Sequence, residues 1–399
     1  MRIFLILFNL LLIISCSKEQ KGFHFLKKSE PSITYKSIKV SNLHLFDTLR
    51  TDIYQNEFDS IKFIKLQLTE DCVLGSLDFT HIYKDKIIVV DRQTNTINIF
   101  NFSGKCLSTI KNIGSGPGQY SSISNVLFDE DNIYITDFMS RKFLHYDIYG
   151  NFIKERININ SSVYNVQPLK DTTFIDVRGY YNGVKKNQFE LVYTDINQET
   201  LGTIRPHQTN LPLPGGKLIK NSNNDLLYYK HLCDTVFLIT DNNIKPYLCL
   251  GLYTKEKLEE FYAKAFTIAT EDWFKFINLQ ASIPVYYTFL ENDNYYVVQF
   301  NDDMYSYTSF ISKKDFVAQT YLNFDLKKGK YYNLIGIKEF ANNDWIVASI
   351  SEREINSISR QMIEDGVSML PNELLKRSII TLSDTENNGL IILFHIKAR

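Results

Sequence analysis

Seven histidines, at positions 24, 44, 81, 145, 207, 231 and 395, are the side chains best suited to proton transfer or metal ligation near neutral pH. None forms a His-x-x-x-His or Glu-x-x-His cluster, the spacings that put two ligands on one helical face. A Gly-x-Ser-x-Gly nucleophile elbow is also missing. What remains is a set of polar residues on or beside expected strands: Asp78, His81, Ser124 and Asn125. Their side chains donate and accept hydrogen bonds, which suits ligand contact better than bond breaking. No catalytic residue, metal site or cofactor is assigned. The run Ile113 to Tyr120, IGSGPGQY, invites a phosphate-binding reading. It fails that pattern, because no Gly-Lys-Ser/Thr follows and the run leads into a strand, not a helix N-terminus. Gly114, Gly116 and Gly118 instead suit a tight crossing between elements, with Pro117 fixing its φ.

The five cysteines divide by context. Met1-Arg2 is a short positive start, and Ile3 to Ile14 is apolar except for Asn9. As a helix this segment rises about 18 Å, well short of a hydrocarbon core of about 30 Å, so it reads as a secretory signal. Ile13-Ile14-Ser15-Cys16 ends it, with an aliphatic residue at −3 and a small residue at −1. This resembles the lipobox of bacterial lipoproteins, which implies a signal over residues 1–15 and acylation of Cys16, with palmitate among the chains. A multiply acylated Cys16 would anchor the protein to a membrane, as an outer-membrane lipoprotein of the cell envelope. Residues 16–58, rich in Lys and Glu, read as a polar tether. Cys72, Cys106, Cys233 and Cys249 then stand in an oxidising compartment, with no zinc spacing among them. They are expected unpaired or with at most one disulfide. Cys233 and Cys249 flank an expected hairpin around Asp241-Asn242-Asn243, a placement that can bring thiols together.

The elements that position these residues follow from composition and repetition. Lys and Arg number 44 against 45 Asp and Glu, so no basic excess exists to neutralise phosphates, and a nucleic-acid partner is excluded. The 25 Tyr and 28 Phe favour pleated, half-buried surfaces. An offset of 46 residues aligns KIIVVDRQTNTINIFNFSGKCLSTI, from Lys86, with NIYITDFMSRKFLHYDIYGNFIKER, from Asn132. Each copy reads as strand, polar turn, strand, Gly-containing turn, strand. Asp91 and Asp137 close equivalent strands, where a short carboxylate binds nearby backbone N–H groups. A weaker mark, Asp or Asn followed by a β-rich run, recurs at Asp85, Asp131, Asp171, Asn224, Asp293 and Asn343. Its spacings of 46, 40, 53, 69 and 50 residues are those of propeller blades.

The predicted fold is therefore all-β: a six-bladed β-propeller over residues 59–399. Two helical insertions are expected, at about 254–278 and 355–376. The first carries Leu258, Phe261, Tyr262, Ala265 and Phe266 at helical spacing. The strand Ile61–Gln67 is expected to join the terminal strand Gly389–Ile396 in blade six, which removes open sheet edges.

The element Ile113 to Tyr120, the strand–Asp–strand–Gly repeat and the lipobox together resemble the six-bladed β-propeller lipoproteins of Bacteroidota. The segments Phe63 to Tyr83 and GLIILFHIK are similar to the start and end of that domain. The likeness covers about residues 59–399, is strongest over 60–157, and extends to NHL repeats. It implies architecture more than activity. Two functions follow as expectations. In the first, a monomeric, lipid-anchored propeller binds a glycan, peptide or protein, with Asp78, His81, Ser124 and Asn125 at the channel mouth. In the second, as in some NHL-like propellers, a hydrolase or lyase holds a metal in the central channel.

Overall fold

The computed structural model describes residues 36–37 and most of 53–397; the stretches 179–188, 207–215, 261–286 and 366–387, with shorter gaps, lie outside the described residues. Six antiparallel sheets follow one another along the chain. Blade 1 is Phe79–Tyr83, Lys86–Asp91, Thr96–Asn101 and Cys106–Ile110. Blade 2 is Asn125–Asp129, Asn132–Asp137, Lys142–Asp147 and Phe152–Arg156. Blades 3, 4 and 5 begin at Val163–Lys170, Lys217–Lys220 and Tyr287–Glu291. Blade 6 takes Ile337–Phe340, Trp345–Ile350 and Leu390–Ile396 from the end of the chain and Phe58–Lys65 from near its start. Each of the six Asp/Asn marks precedes the second strand of its blade.

One strand shows why this sequence makes a ring. Ile87, Ile88, Val89 and Val90 are all 0% exposed, so neither face of this strand meets solvent. Period-2 geometry still operates, because successive side chains point to opposite faces of the blade. Ile87 and Val89 pack with Val347, Ile391 and Leu393 of blade 6. Ile88 and Val90 pack with Ile133, Ile135 and Leu144 of blade 2. A blade covered on both faces therefore reads as a continuous β-branched run. Every junction has its own apolar cluster: blades 2 and 3 meet at Phe143 and Phe174, 3 and 4 at Val177 and Tyr228, 4 and 5 at Leu227 and Phe289, 5 and 6 at Phe310 and Phe394. The Tyr and Phe surplus is spent largely here, with Tyr120, Tyr146, Tyr228, Tyr321, Phe100 and Phe300 among the largest fully buried side chains.

The ring closes as expected. Phe58–Lys65 pairs antiparallel with Leu390–Ile396, from Phe58 opposite Ile396 to Lys65 opposite Leu390. The side chain of Asn388 fastens this seam to the segment that leads into blade 1. Its Nδ2 donates to the carbonyls of Gln67 (2.8 Å) and Cys72 (2.6 Å), while its Oδ1 accepts the Leu74 N–H at 2.8 Å. Helix α1, Ile53–Glu57, lies on the tether side of position 59 and packs Ile53 and Tyr54 into the blade 5–6 cluster. Lys36–Ser37 adds a short parallel strand to the outer edge of blade 4.

Helix α2, Glu352–Asp365, falls where the second insertion was expected. Ser351 and Glu354 form its capping box: the Ser351 N–H donates to Glu354 Oε2 at 2.8 Å and the Glu354 N–H to Ser351 Oγ at 3.4 Å. Ile355 and Ile358 carry it onto blade 6. Of the first insertion, Glu256, Glu259 and Glu260 are helical and nearly all the rest, like the signal and Cys16, lies outside the described residues. Cys72, Cys106, Cys233 and Cys249 are all free thiols, and Thr235–Thr240 with Asn243–Cys249 makes the expected hairpin.

Candidate functional site

The innermost strands of the six blades surround a central cavity of about 570 Å³. Its wall includes His81 from blade 1, Phe128 from blade 2, Gln167 from blade 3, Lys220 and Asn221 from blade 4, Glu291 and Asn292 from blade 5, and Lys338 and Glu339 from blade 6. Strand order explains the convergence: the strand that opens each blade lies nearest the axis, so short loops elsewhere leave the channel undisturbed.

His81 is held from two sides. Its Nδ1 is 2.7 Å from Glu339 Oε2, and its ring stacks on Phe128 with centroids 4.4 Å apart and planes inclined by 7°. Glu339 also accepts the Ile82 N–H through Oε1 at 2.5 Å, which locks the carboxylate across the seam between blades 6 and 1. A carboxylate partner makes Nδ1 the donor and leaves Nε2 for another group. Glu291, whose side chain is fully buried, accepts the Tyr247 hydroxyl at 2.6 Å and pairs with Lys313 at 2.5 Å. Burial, reinforced by the bond to Glu291, pushes the Tyr247 hydroxyl well above its ordinary value. Lys338 approaches the Asp78 carbonyl at 3.5 Å. Desolvation in the channel pulls this ammonium below the ordinary lysine value, against the attraction of Glu354 and Asp78.

Of the four candidates read from sequence, only His81 is part of the cavity wall. Asp78 accepts the Arg92 N–H at 2.9 Å and the Ser76 hydroxyl, which ties the start of blade 1 to its turn. Ser124 accepts the Phe138 N–H at 3.0 Å through Oγ and an Arg92 guanidinium N–H through its carbonyl, the equivalent job in blade 2. Asn125 opens the inner strand of blade 2, opposite Thr136. Lys338, Glu339, Lys220, Glu291 and Gln167 were missed. A signal existed: each lies a few residues before one of the Asp/Asn marks, where the innermost strand must run.

Two other sequence features prove architectural. Asp91 and Asp137 are 0% exposed and bind the same positions in successive blades. Asp91 accepts N–H groups from Gly75 (2.6 Å), Gln93 (2.8 Å) and Thr94 (3.1 Å). Asp137 accepts those of Ser121 (2.6 Å), Met139 (2.9 Å) and Ser140 (3.1 Å). Burial opposes the charge on each, but donors from Thr94 and Ser76, or from Ser140 and Ser121, outweigh it and hold both carboxyls below 3.8. The Gly-rich crossing binds a cation of the protein itself, the reverse of a phosphate cradle. Lys142 Nζ donates to the carbonyls of Ser115 (3.2 Å), Gly116 (2.7 Å) and Gln119 (3.1 Å), and pairs with Glu155 at 3.3 Å.

A smaller cavity of about 260 Å³ lies between blades 2 and 3, lined by Tyr134, His145, Lys154, Arg156 and Phe174. His145 stacks on Tyr134 at 4.6 Å, and burial followed by the charge of Lys154 keeps its imidazole below the ordinary value. Among the described residues no three His, Cys, Asp or Glu converge as a metal-binding group, and no helix is long and apolar enough to cross a membrane.

A family model described as a domain of unknown function, DUF4934, matches residues 40–394. Among solved structures, the chain is similar to a Bacteroides fragilis protein described as expected to be exported, at 19% identity and a TM-score of 0.67, covering 85% of this chain and 95% of that one. It is also similar to a member of the DUF4221 family from Bacteroides vulgatus, at 13% identity and a TM-score of 0.51, covering 85% and 97%. At these identities the likeness shows the fold alone. No curated protein matches the chain.

Proposed function

Because the chain belongs to the DUF4934 family, whose description carries no activity, we propose from its own chemistry that it is a lipid-anchored binding module of the bacterial cell envelope. The ligand enters the central channel. The observation that carries this reading is the cavity of about 570 Å³, within the ordinary range for small-molecule sites, with hydrogen-bonding side chains from five blades. His81 Nε2, the amide of Gln167, the Nδ2 groups of Asn221 and Asn292, and Lys338 offer donors and acceptors on a wall that also presents Phe79 and Phe128. Such a mixture suits a glycan or peptide segment. The lipobox at Cys16 supports the anchor, and export fits the description of the Bacteroides fragilis relative.

Two experiments test the reading. Cys16→Ser should move the protein from the membrane to the soluble fraction; a variant that still sediments with membranes refutes the anchor. Gln167→Trp, which fills the lumen, should abolish binding of any glycan or peptide recovered from a ligand array. An enzyme reading rests on one observation, the His81–Glu339 pair, which resembles the carboxylate–imidazole unit of general bases. It requires that His81→Ala stop turnover of a bound ligand while sparing its binding.

A further inference from the structure

The channel holds one cation that its surroundings leave under-partnered. Lys338 lines the cavity, and among the described residues its only hydrogen-bond acceptor is the Asp78 carbonyl at 3.5 Å, the outer limit of such a contact. None of their carboxylates lies within ion-pair distance of it. The other charges in the wall are already engaged: Glu339 by His81 at 2.7 Å, Glu291 by Lys313 at 2.5 Å, and Lys220 by an interaction of its own. Glu354 and Asp78 attract the Lys338 ammonium only from beyond ion-pair distance; taken from water without a contacting counter-ion it is costly, and a ligand that supplies the negative charge removes that cost.

The rest of the wall defines the body of that ligand. Gln167 brings a neutral amide able to donate and accept, and the Nδ2 groups of Asn221 and Asn292 can donate, their Oδ1 atoms being taken by turn N–H groups. The two glutamates disfavour a multiply charged anion, and the described residues of the wall include neither the arginine fork nor the helix N-terminus that favours phosphate. We propose that the channel binds a small monocarboxylate with a hydroxylated body, of the acidic-sugar class, whose carboxylate seats on Lys338. This rests on the channel being the ligand site.

The test is calorimetry on the full-length protein with glucuronate, glucose and inorganic phosphate. Glucuronate should bind at least tenfold more tightly than glucose, and Lys338→Met should remove that advantage while Lys338→Arg keeps most of it. The absence of glucuronate binding at tens of millimolar overturns the proposal. So does equal affinity for glucose, phosphate and glucuronate, or a Lys338→Met protein that binds glucuronate like wild type. Should Lys338→Met fail to fold, the glucuronate–glucose comparison on the unaltered protein still decides. Failure of the underlying reading looks different: Gln167→Trp, like Lys338→Met, would then leave glucuronate affinity unchanged, whereas loss of binding in Gln167→Trp alone overturns only the seat on Lys338.

Discussion

Replacing Asp137 by asparagine changes one oxygen into an amide nitrogen at the point where blade 2 is tied to its incoming strand. The side chain is fully buried and accepts four backbone N–H groups, from Ser121, Ser122, Met139 and Ser140, and the hydroxyls of Ser121, Ser122 and Ser140. In Asp137→Asn, Oδ1 keeps the Met139 and Ser140 N–H groups, and the serine hydroxyls can rotate to accept. The Ser121 N–H, 2.6 Å from Oδ2, then faces an NH₂ group and loses its acceptor, as does the more distant Ser122 N–H at 3.4 Å. A buried donor left unmade costs about 1–3 kcal/mol, and losing the charge on the two retained bonds costs roughly 1 kcal/mol each. The variant should be less stable by about 3–5 kcal/mol at pH 7, read as a lower urea midpoint at constant m-value.

The pH dependence gives the sign check. A carboxyl held below 3.8 in the folded protein stabilises it fully above that value, and the contribution fades as pH falls through the folded-state pKa. The gap between wild type and variant should therefore narrow on acidification below about pH 4. Midpoints that coincide at pH 7, or a gap that widens in acid, would refute the clamp as argued. Asp91→Asn should behave alike, since its donors sit at the equivalent positions.

Gly104 has φ of +81° and any Cβ there would meet the Lys65 carbonyl oxygen, so Gly104→Ala should lower the melting temperature by several degrees by pushing on the closing strand. Asn388→Asp keeps the shape but turns the Nδ2 donor into an acceptor facing the carbonyls of Gln67 and Cys72; it should cost about 2–4 kcal/mol in urea unfolding, and a neutral result would remove Asn388 from the seam. Burial pushes the Cys72 thiol well above its ordinary value of 9.0. Maleimide labelling of the native protein, followed by peptide mass spectrometry, should therefore leave Cys72 unmodified while half-buried Cys106 reacts; equal rates would contradict its burial.

The blade period was legible because it is written twice, in strongly similar copies around Asp91 and Asp137, and faintly four times more in the Asp/Asn turns. The closing strand was legible because GLIILFHI, apolar on both faces, requires covered partners on each side. The site was less so. Asp78 and Ser124 look like ligand contacts in a sequence, but both sit where a strand must be tied to the next turn, and local backbone groups consume them. Lys338 and Glu339 fall in a four-residue strand, Ile337–Phe340, too short for period-2 alternation to declare a face. Their significance comes from closure, which sets Glu339 beside His81 although 257 positions separate it from Ile82. Helix α1 was read as tether because Glu57 and Asn56 mask Ile53 and Tyr54.

The pairing of Phe58–Lys65 with Leu390–Ile396 also dictates an order of events in time. The first strand of the ring waits for a partner that leaves the ribosome more than three hundred residues later. Until then blade 6 is an incomplete sheet with an exposed edge, a template for pairing with another chain. Contacts this remote in sequence form slowly, and no ring can close before Leu390–Ile396 has emerged. If the chain is exported as proposed, that delay is useful, since a translocation pore accepts threads more readily than rings.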